Sequence, residues 1–323
     1  MRVLITGGAG FVGTHAVRLL QERYGSQLRL ASTSKSAHSV PLPDGCERRI
    51  LDITDAQSVL DTIESWQPTH ILHLAGIAAP IAASTQPDEA WRVHVFGARN
   101  LGRAILEKAP HCTLLHVGSG LIYGGSARSS LALDENAVLD PLDEYGVTKA
   151  AADLAMGVLA AKGLKVIRLR PFNHTGPGQS EDFVVPAFAM QIARIEAGLM
   201  KPVLRVGNLE AERDFLDVRD VVGAYLCAID RSPAIAPGSI YNIASGEPRR
   251  ISDILETMLS LSSAAIAVER DEARMRPSDI PRVIGNSSKA HAELGWSARH
   301  SFAQTLQQVL DDCRRQIGNP FPT

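Results

Sequence analysis

Short runs of apolar residues alternate with longer stretches of helical spacing through the first half of the chain. Arg2 to Thr6, Leu28 to Ala31, Arg48 to Leu51, His70 to Leu74, Cys112 to Val117 and Gly163 to Leu169 read as six short buried strands. Between them, Thr14 to Leu20, Thr54 to Trp66, Gln86 to Lys108 and a stretch opening at Tyr145 carry apolar residues at helical intervals. Thr54 is the expected cap of the second helix. The helix from Tyr145 is expected to place Ala150, Ala151, Leu154, Ala155 and Val158 on its apolar side. Strands and helices alternating at these lengths predict a doubly wound α/β fold of Rossmann type, a parallel sheet covered on both faces.

The texture changes at Arg170. The turn-rich passage Pro171 to Gln179 opens a smaller lobe of short mixed elements. In it, Phe183 to Leu199 reads as a helix, Val203 to Gly207 as a strand and Arg213 to Val218 as another extended piece. Val221 to Asp230 and Ser239 to Ala244 form a helix and a strand that return to the main sheet. Ile251 to Leu261, Ser287 to Leu294 and Phe302 to Ile317 complete the lobe as helices. The predicted organisation is residues 1–170 as the dinucleotide-binding domain, completed by about 218–244, with 171–217 plus 245–323 as the substrate lobe. No internal repeat or low-complexity linker interrupts it.

Composition narrows the function. The chain has 323 residues, 45% apolar and 21% charged, with a formal net charge of -2. It has no Lys/Arg cluster interleaved with aromatics, which argues against nucleic acid as a partner. No apolar run approaches membrane length, and with only six residues before the first Gly-rich turn no signal peptide is expected. The four cysteines (Cys46, Cys112, Cys227, Cys313) lie far apart, without metal-ligand spacing. They are expected to be reduced packing residues of a cytoplasmic protein. His70 and His73 sit three apart in one strand and point to opposite faces, so structural roles are expected for them rather than metal ligation.

The first chemical signal is Gly7-Gly8-Ala9-Gly10-Phe11-Val12-Gly13, between a strand and a helix. One glycine makes the tight turn, one lets backbone approach a pyrophosphate and one lets helix pack on strand. The helix N-terminus then faces the phosphates. At the end of the second strand, where an NAD enzyme usually carries an acid, stand Ser32, Thr33, Ser34 and Lys35. Hydroxyls and a cation there favour NADP(H), with NAD(H) as the alternative. Asp52, Ile53 and Leu74-Ala75-Gly76 end neighbouring strands and should face the cofactor.

The second signal is Tyr145-Gly146-Val147-Thr148-Lys149, which places a phenol and an ammonium on one helix face. The lysine cation is expected to lower the tyrosine pKa and fit the pair for acid–base work at a carbonyl. Ser119, at the carboxyl end of a central strand, offers a hydroxyl to the same substrate. The spacing of a Tyr and a Lys alone is weak evidence, and it is the Gly-rich turn and Ser119 that give it meaning.

Taken together these motifs resemble the extended short-chain dehydrogenase/reductases, along essentially the whole chain. Gly7-x-x-Gly10-x-x-Gly13, Asp52-Ile53, Leu74-Ala75-Gly76, Ser119 before Tyr123-Gly124, Tyr145-x-x-x-Lys149, Arg170-Pro171-Phe172-Asn173, Arg213-Asp214 and Arg276-Pro277-Ser278-Asp279 carry the likeness. Within that superfamily the second lobe is most similar to the GDP-4-dehydro-6-deoxy-mannose reductases, through Phe172 to Gln179, Gln191 to Arg194 and Val206 to Phe215. The resemblance implies Ser119, Tyr145 and Lys149 as catalytic residues. It implies Gly7, Gly10, Phe11, Val12, Gly13, Ser32, Ser34, Lys35, Asp52, Ile53, Leu74, Ala75, Gly76 and Phe172 at the cofactor, with Tyr145 and Lys149 touching it too. Asn173, Phe183, Val184, Arg213 and Arg276 are implied at a GDP-sugar substrate, beside Ser119. The implied reaction is NADPH-dependent reduction of the C-4 keto group of GDP-4-dehydro-6-deoxy-D-mannose to GDP-D-rhamnose or its talo epimer.

Two departures stand out. Where the superfamily usually has Asn, Arg92-Val93-His94-Val95-Phe96-Gly97 has His94. Family dehydratases carry a carboxylate shortly after the catalytic Ser/Thr, where this chain has Gly120, Leu121 and Ile122. Dehydration is therefore not expected. The alternatives are a nucleotide-sugar 4-epimerase holding NAD tightly and a non-catalytic relative that senses NADP(H) or binds a partner. The resemblance also implies a homodimer, formed through the helices of Gln86 to Lys108 and Tyr145 to Lys162.

Overall fold

The computed structural model describes residues 1–35, 42–129, 131–275 and 280–318. The alternation of strand and helix is realised as β1 (Arg2–Thr6), α1 (Phe11–Tyr24), β2 (Arg29–Ser34), β3 (Cys46–Ile50), α2 (Ala56–Trp66) and β4 (His70–His73). After β4 come two short helices, α3 (Pro80–Thr85) and α4 (Pro87–Ala90), a π-helical segment Trp91–Gly97 and α5 (Ala98–Lys108). Then follow β5 (Thr113–Val117), α6 (Glu144–Ala160) and β6 (Val166–Pro171). Helix α2 is capped by Asp55, whose carboxylate accepts from the Gln57 and Ser58 amides, one residue later than the expected Thr54. The Thr54 hydroxyl is instead spent on the Asp52 carboxylate, 2.8 Å away.

The chain then forms β7 (Asn173–Thr175), α7 (Val184–Glu196), β8 (Val203–Val206), β9 (Glu212–Asp217), α8 (Val218–Arg231) and β10 (Ile240–Ile243). It ends with β11 (Pro248–Arg250), α9 (Ile251–Ser260), β12 (Ala267–Arg270), β13 (Arg282–Val283) and α10 (Phe302–Gly318). The main sheet has the order β10-β6-β5-β4-β1-β2-β3. Its pairings are parallel throughout. Strand β10 returns to the main sheet as the sequence predicts, and it pairs beside β6. A smaller sheet is built around β9, which pairs antiparallel with β11 and parallel with β13 and β7. Strands β8 and β12 form a two-stranded parallel sheet.

Each face of the main sheet has its own core. Val3, Ile5 and Leu72 pack under α1 and α8, while Leu4, Ile71 and Leu114 pack under α2, α5 and α6. Two helical expectations change. In α6, Leu154 and Val158 are exposed, and the buried face runs through Tyr145, Thr148, Ala152, Met156 and Leu159. On α5, Gly102 leaves room for Leu159 and Met156 of that face. The helix expected from Ser287 to Leu294 forms over 288–294, π-helical at Ala290–Leu294, but it joins the core of the main sheet instead of the second lobe. Ala290, Leu294 and Trp296 pack with α8 against the main sheet.

Candidate active site

The glycine-rich turn forms a cradle that larger residues would fill. Gly7 has φ +76°, and a Cβ there would meet the Ala75 backbone at 2.8 Å. A Cβ on Gly13 would lie 2.4 Å from the Gly7 carbonyl oxygen, so Gly13 lets α1 sit directly on the turn. Helix α1 begins after Gly10 with no side-chain cap. Its first N–H groups and the positive end of its dipole are thus available to an anion such as a cofactor diphosphate. Val12 and Phe11 follow on the first turn, and the Phe11 ring stacks on His174, centroids 6.2 Å apart. His15 reaches the Pro177 carbonyl at 2.9 Å. These histidine contacts tie the phosphate turn to the segment after β6, and only their position in space reveals them.

Strand ends complete the cradle. Leu74 continues from β4 with its amide on the Thr6 carbonyl at 3.0 Å, and the Ala75 amide donates to the Thr6 hydroxyl. Gly76 lies against both His94 and Lys149. Asp52 and Ile53 end the third strand, with Ile53 buried against Gly97. Ser32 is buried beneath Gly8, so its hydroxyl packs into the turn. Ser34 closes β2. Lys35, just beyond it, is held by Glu89 at 3.0 Å and Asp52 at 3.4 Å.

The three chemistry-bearing residues converge where β5 and α6 meet. Ser119 lies two residues beyond β5 and is nearly buried; its Oγ accepts from the Leu121 amide at 3.1 Å. Tyr145 is in the first turn of α6, capped by Asp143 through the Gly146 amide. Lys149, one turn on, donates to the Val117 carbonyl at 3.4 Å, with its ammonium 5.9 Å from the Tyr145 ring centre. Burial lowers the Lys149 pKa to about 8. Burial also pushes the Tyr145 phenol up to about 12, with the Ser119 hydroxyl pulling the other way and Asp143 adding to the rise. That direction is opposite to the expectation from the Tyr–Lys pair, because loss of water outweighs a cation this far from the ring. Tyr145 is thus protonated at neutral pH, the form a proton donor needs.

His94 takes a definite place between these parts. The Ile77 amide, an obligate donor, lies 3.0 Å from Nε2, closer than the Ile77 carbonyl at 3.2 Å, so Nε2 is the acceptor. The proton therefore sits on Nδ1, which donates to the Thr148 hydroxyl at 2.8 Å. Thr148 in turn donates to the Glu144 and Tyr145 carbonyls at 2.8 and 3.0 Å. His94 thereby couples the loop after β4 to the helix that carries Tyr145 and Lys149. The π-helical segment holding it supplies the helix distortion, so this bend is present with His at that position. Burial holds His94 and His116 near pKa 3 and keeps His73 well below its ordinary value, so the charge here stays on Lys149.

The residues expected at the substrate are distributed as follows. Asn173 opens β7 and is paired with Phe215. Phe183 and Val184 start α7, both half-buried. Arg213 donates to the carbonyls of Glu212, Ile280 and Pro281. Its neighbour Asp214 is engaged elsewhere, accepting from the Ser245, Gly246 and Gly285 amides and the Ser245 hydroxyl. Phe172 is in the core, against Gly120, Gly285 and the Tyr123 ring. It supports the Ser119 turn from beneath. Arg276 and the rest of Arg276-Pro277-Ser278-Asp279 lie outside the described residues.

A protonated tyrosine, a lysine and a serine at the carboxyl edge of a parallel sheet, facing a dinucleotide cradle, define an oxidoreductase of the extended short-chain dehydrogenase/reductase class. Residues 4–309 match the family model described as GDP-mannose 4,6 dehydratase, and the chain belongs to that family. It is 32% identical to the GDP-6-deoxy-D-mannose reductase of Pseudomonas aeruginosa, over 98% of each chain. It is 25% identical to the GDP-6-deoxy-D-talose 4-dehydrogenase of Aggregatibacter actinomycetemcomitans, covering 96% of this chain and 97% of that one. Among solved structures it is similar to RMD from Pseudomonas aeruginosa complexed with NADPH, with TM-score 0.82 and 29% identity, covering 98% of this chain and 99% of that one.

Proposed function

We propose that this protein reduces the C-4 keto group of GDP-4-dehydro-6-deoxy-D-mannose with NADPH, giving GDP-D-rhamnose or its talo epimer. The observation that carries the reading is a protonated Tyr145 beside Lys149 and Ser119, on a chain whose nearby turn, Gly120-Leu121-Ile122, has no carboxylate. Dehydration needs a side chain that can protonate a leaving hydroxyl, whereas reduction needs only a proton for the new alkoxide. The likeness along the full chain to a GDP-6-deoxy-D-mannose reductase supports the substrate, and the likeness to RMD complexed with NADPH supports the cofactor.

The dinucleotide supplies a hydride when bound. Ser119 then donates to the carbonyl oxygen where negative charge develops, and the Tyr145 phenol passes its proton to that oxygen, converting C=O to CH–OH. Lys149 stabilises the phenolate left on Tyr145 and binds the nicotinamide ribose. Gly7, Gly10 and Gly13, with the first turn of α1, hold the diphosphate. Arg213, Arg276 and Asn173 hold the GDP diphosphate, a role that suits forked guanidinium donors. Phe183 and Val184 complete the substrate wall.

We further infer a cytoplasmic homodimer. Leu154 and Val158, four apart on α6, and Phe96 on the adjoining π-helical segment leave an apolar strip exposed. No described helix is long and apolar enough to cross a membrane.

The deciding experiment mixes the protein with NADPH and freshly generated GDP-4-dehydro-6-deoxy-D-mannose and identifies the product sugar by NMR. Absence of cofactor oxidation would end the reading. A talo product would select between its two epimers, and tightly retained NAD with no net consumption of reduced cofactor would mark a 4-epimerase instead.

A further inference from the structure

One carboxylate beside the end of β2 is shared by two cations. Glu89, in the short helix α4, places Oε1 3.0 Å from the Lys35 ammonium and Oε2 2.9 Å from the Arg92 guanidinium. Lys35 directly follows β2. In a sheet of this order the end of that strand faces the ribose 2′ position of a bound dinucleotide. Asp52 also approaches Lys35, at 3.4 Å, but it is anchored by the Thr54 amide and hydroxyl at 2.9 and 2.8 Å. The group of four is therefore neutral, with Lys35 and Arg92 balancing Asp52 and Glu89.

We propose that Glu89 occupies the place of a phosphate, and that Lys35 and Arg92 are the cations that the 2′-phosphate of NADP(H) takes over from it. This rests on the NADP(H) reading above. The chemistry matches in shape and charge: a carboxylate serving two donors through two oxygens is replaced by a phosphate, which offers three. A dianion entering beside an ionised Glu89 is repelled, so the glutamate side chain turns out to solvent as the phosphate arrives. Little is lost in doing so, because exposed ion pairs of this kind contribute little to stability. When the ribose carries only a hydroxyl, Glu89 stays and neither cation is left unpaired. The same site thus accommodates NAD(H), and Glu89 sets how strongly the phosphate is favoured.

The full-length protein titrated calorimetrically with 2′,5′-ADP and with 5′-AMP isolates the phosphate, the only difference between the two ligands. Glu89→Gln should tighten 2′,5′-ADP by roughly 3- to 10-fold, and Arg92→Gln should weaken it by a similar factor. Both should leave 5′-AMP within about twofold. Arg103→Gln, an exposed cation farther along the same helix, serves as the control and should shift neither ligand. If the wild type prefers 2′,5′-ADP but neither Glu89→Gln nor Arg92→Gln alters that preference, the assignment is overturned. Loss of 5′-AMP affinity in Glu89→Gln would also overturn it, by making Glu89 a partner of the ribose hydroxyl. A wild type with no preference for 2′,5′-ADP would end the NADP(H) reading itself and this assignment with it.

Discussion

Asp153 grips Arg170 through both carboxylate oxygens, 3.2 Å to Nε and 2.7 Å to Nη2, one turn beyond Lys149 in α6. Asp153 is fully buried, and Arg168 shares its Oδ2 at 3.0 Å. Arg170 continues to the Tyr123 hydroxyl at 2.8 Å, which donates to Asn242 at 2.7 Å. The network joins α6, which carries Tyr145 and Lys149, to β6, β10 and the turn after Ser119. Replacing Asp153 by Asn leaves the buried Arg170 guanidinium and the half-buried Arg168 without their counter-charge. The expected cost is about 3–5 kcal/mol, read as a lower urea midpoint with an unchanged slope.

Tyr145→Phe removes the proton donor and keeps the ring that packs against His94. Turnover should fall by about 10²- to 10⁴-fold, while NADPH affinity, measured by fluorescence titration, stays within a few-fold. Near-normal turnover would remove Tyr145 from the mechanism.

Lys149 is half-buried, and burial lowers its pKa from the ordinary lysine value of 10.5 to about 8. Between those values the unfolded chain binds more protons than the folded one, so this group makes stability rise with pH across that window. Below it, the charged lysine is a standing cost to the fold. Lys149→Met should therefore gain about 1–2 kcal/mol at pH 7, allowing for solvent access, and lose activity in the same variant. In the wild type, kcat/KM for reduction should decline as pH rises through about 8, when Lys149 loses its charge. A stability loss in Lys149→Met at pH 7 would contradict this account.

If the strip of Phe96, Leu154 and Val158 is a dimer surface, Leu154→Arg combined with Val158→Glu should shift the protein to monomer in sedimentation velocity at micromolar concentration. Because both side chains are exposed in the single chain, the monomer should keep its fold. An unchanged sedimentation coefficient, or a wild type that is already monomeric, would sink the homodimer inference.

Much of this was legible before any coordinates. Gly7 and Gly13 announce themselves because neither has room for a Cβ, and the clash at Gly13 is with Gly7 and Gly8 of the same turn. Strand and helix positions follow from apolar periodicity, which is why the predicted elements recur with ends shifted by a few residues. Several particulars were not legible. Asp55 rather than Thr54 caps α2 because the Thr54 hydroxyl already has a partner in Asp52. Leu154 and Val158 share the helical spacing of a buried face, yet α5 approaches α6 on another face, where Gly102 makes room for Met156 and Leu159.

Local chemistry was enough to establish the parallel α/β fold, the glycine-rich turn between β1 and α1 and the Tyr145–Lys149 spacing, since each depends on residues within a few positions of one another. The long-range arrangement settled the rest. Burial raises the Tyr145 pKa where the neighbouring lysine was expected to lower it, and burial is a property of everything packed around the ring. His94 reaches Ile77 across 17 positions and Thr148 across 54, and Asp153 meets Arg170 from another element. Such pairings exist only once the chain has closed on itself.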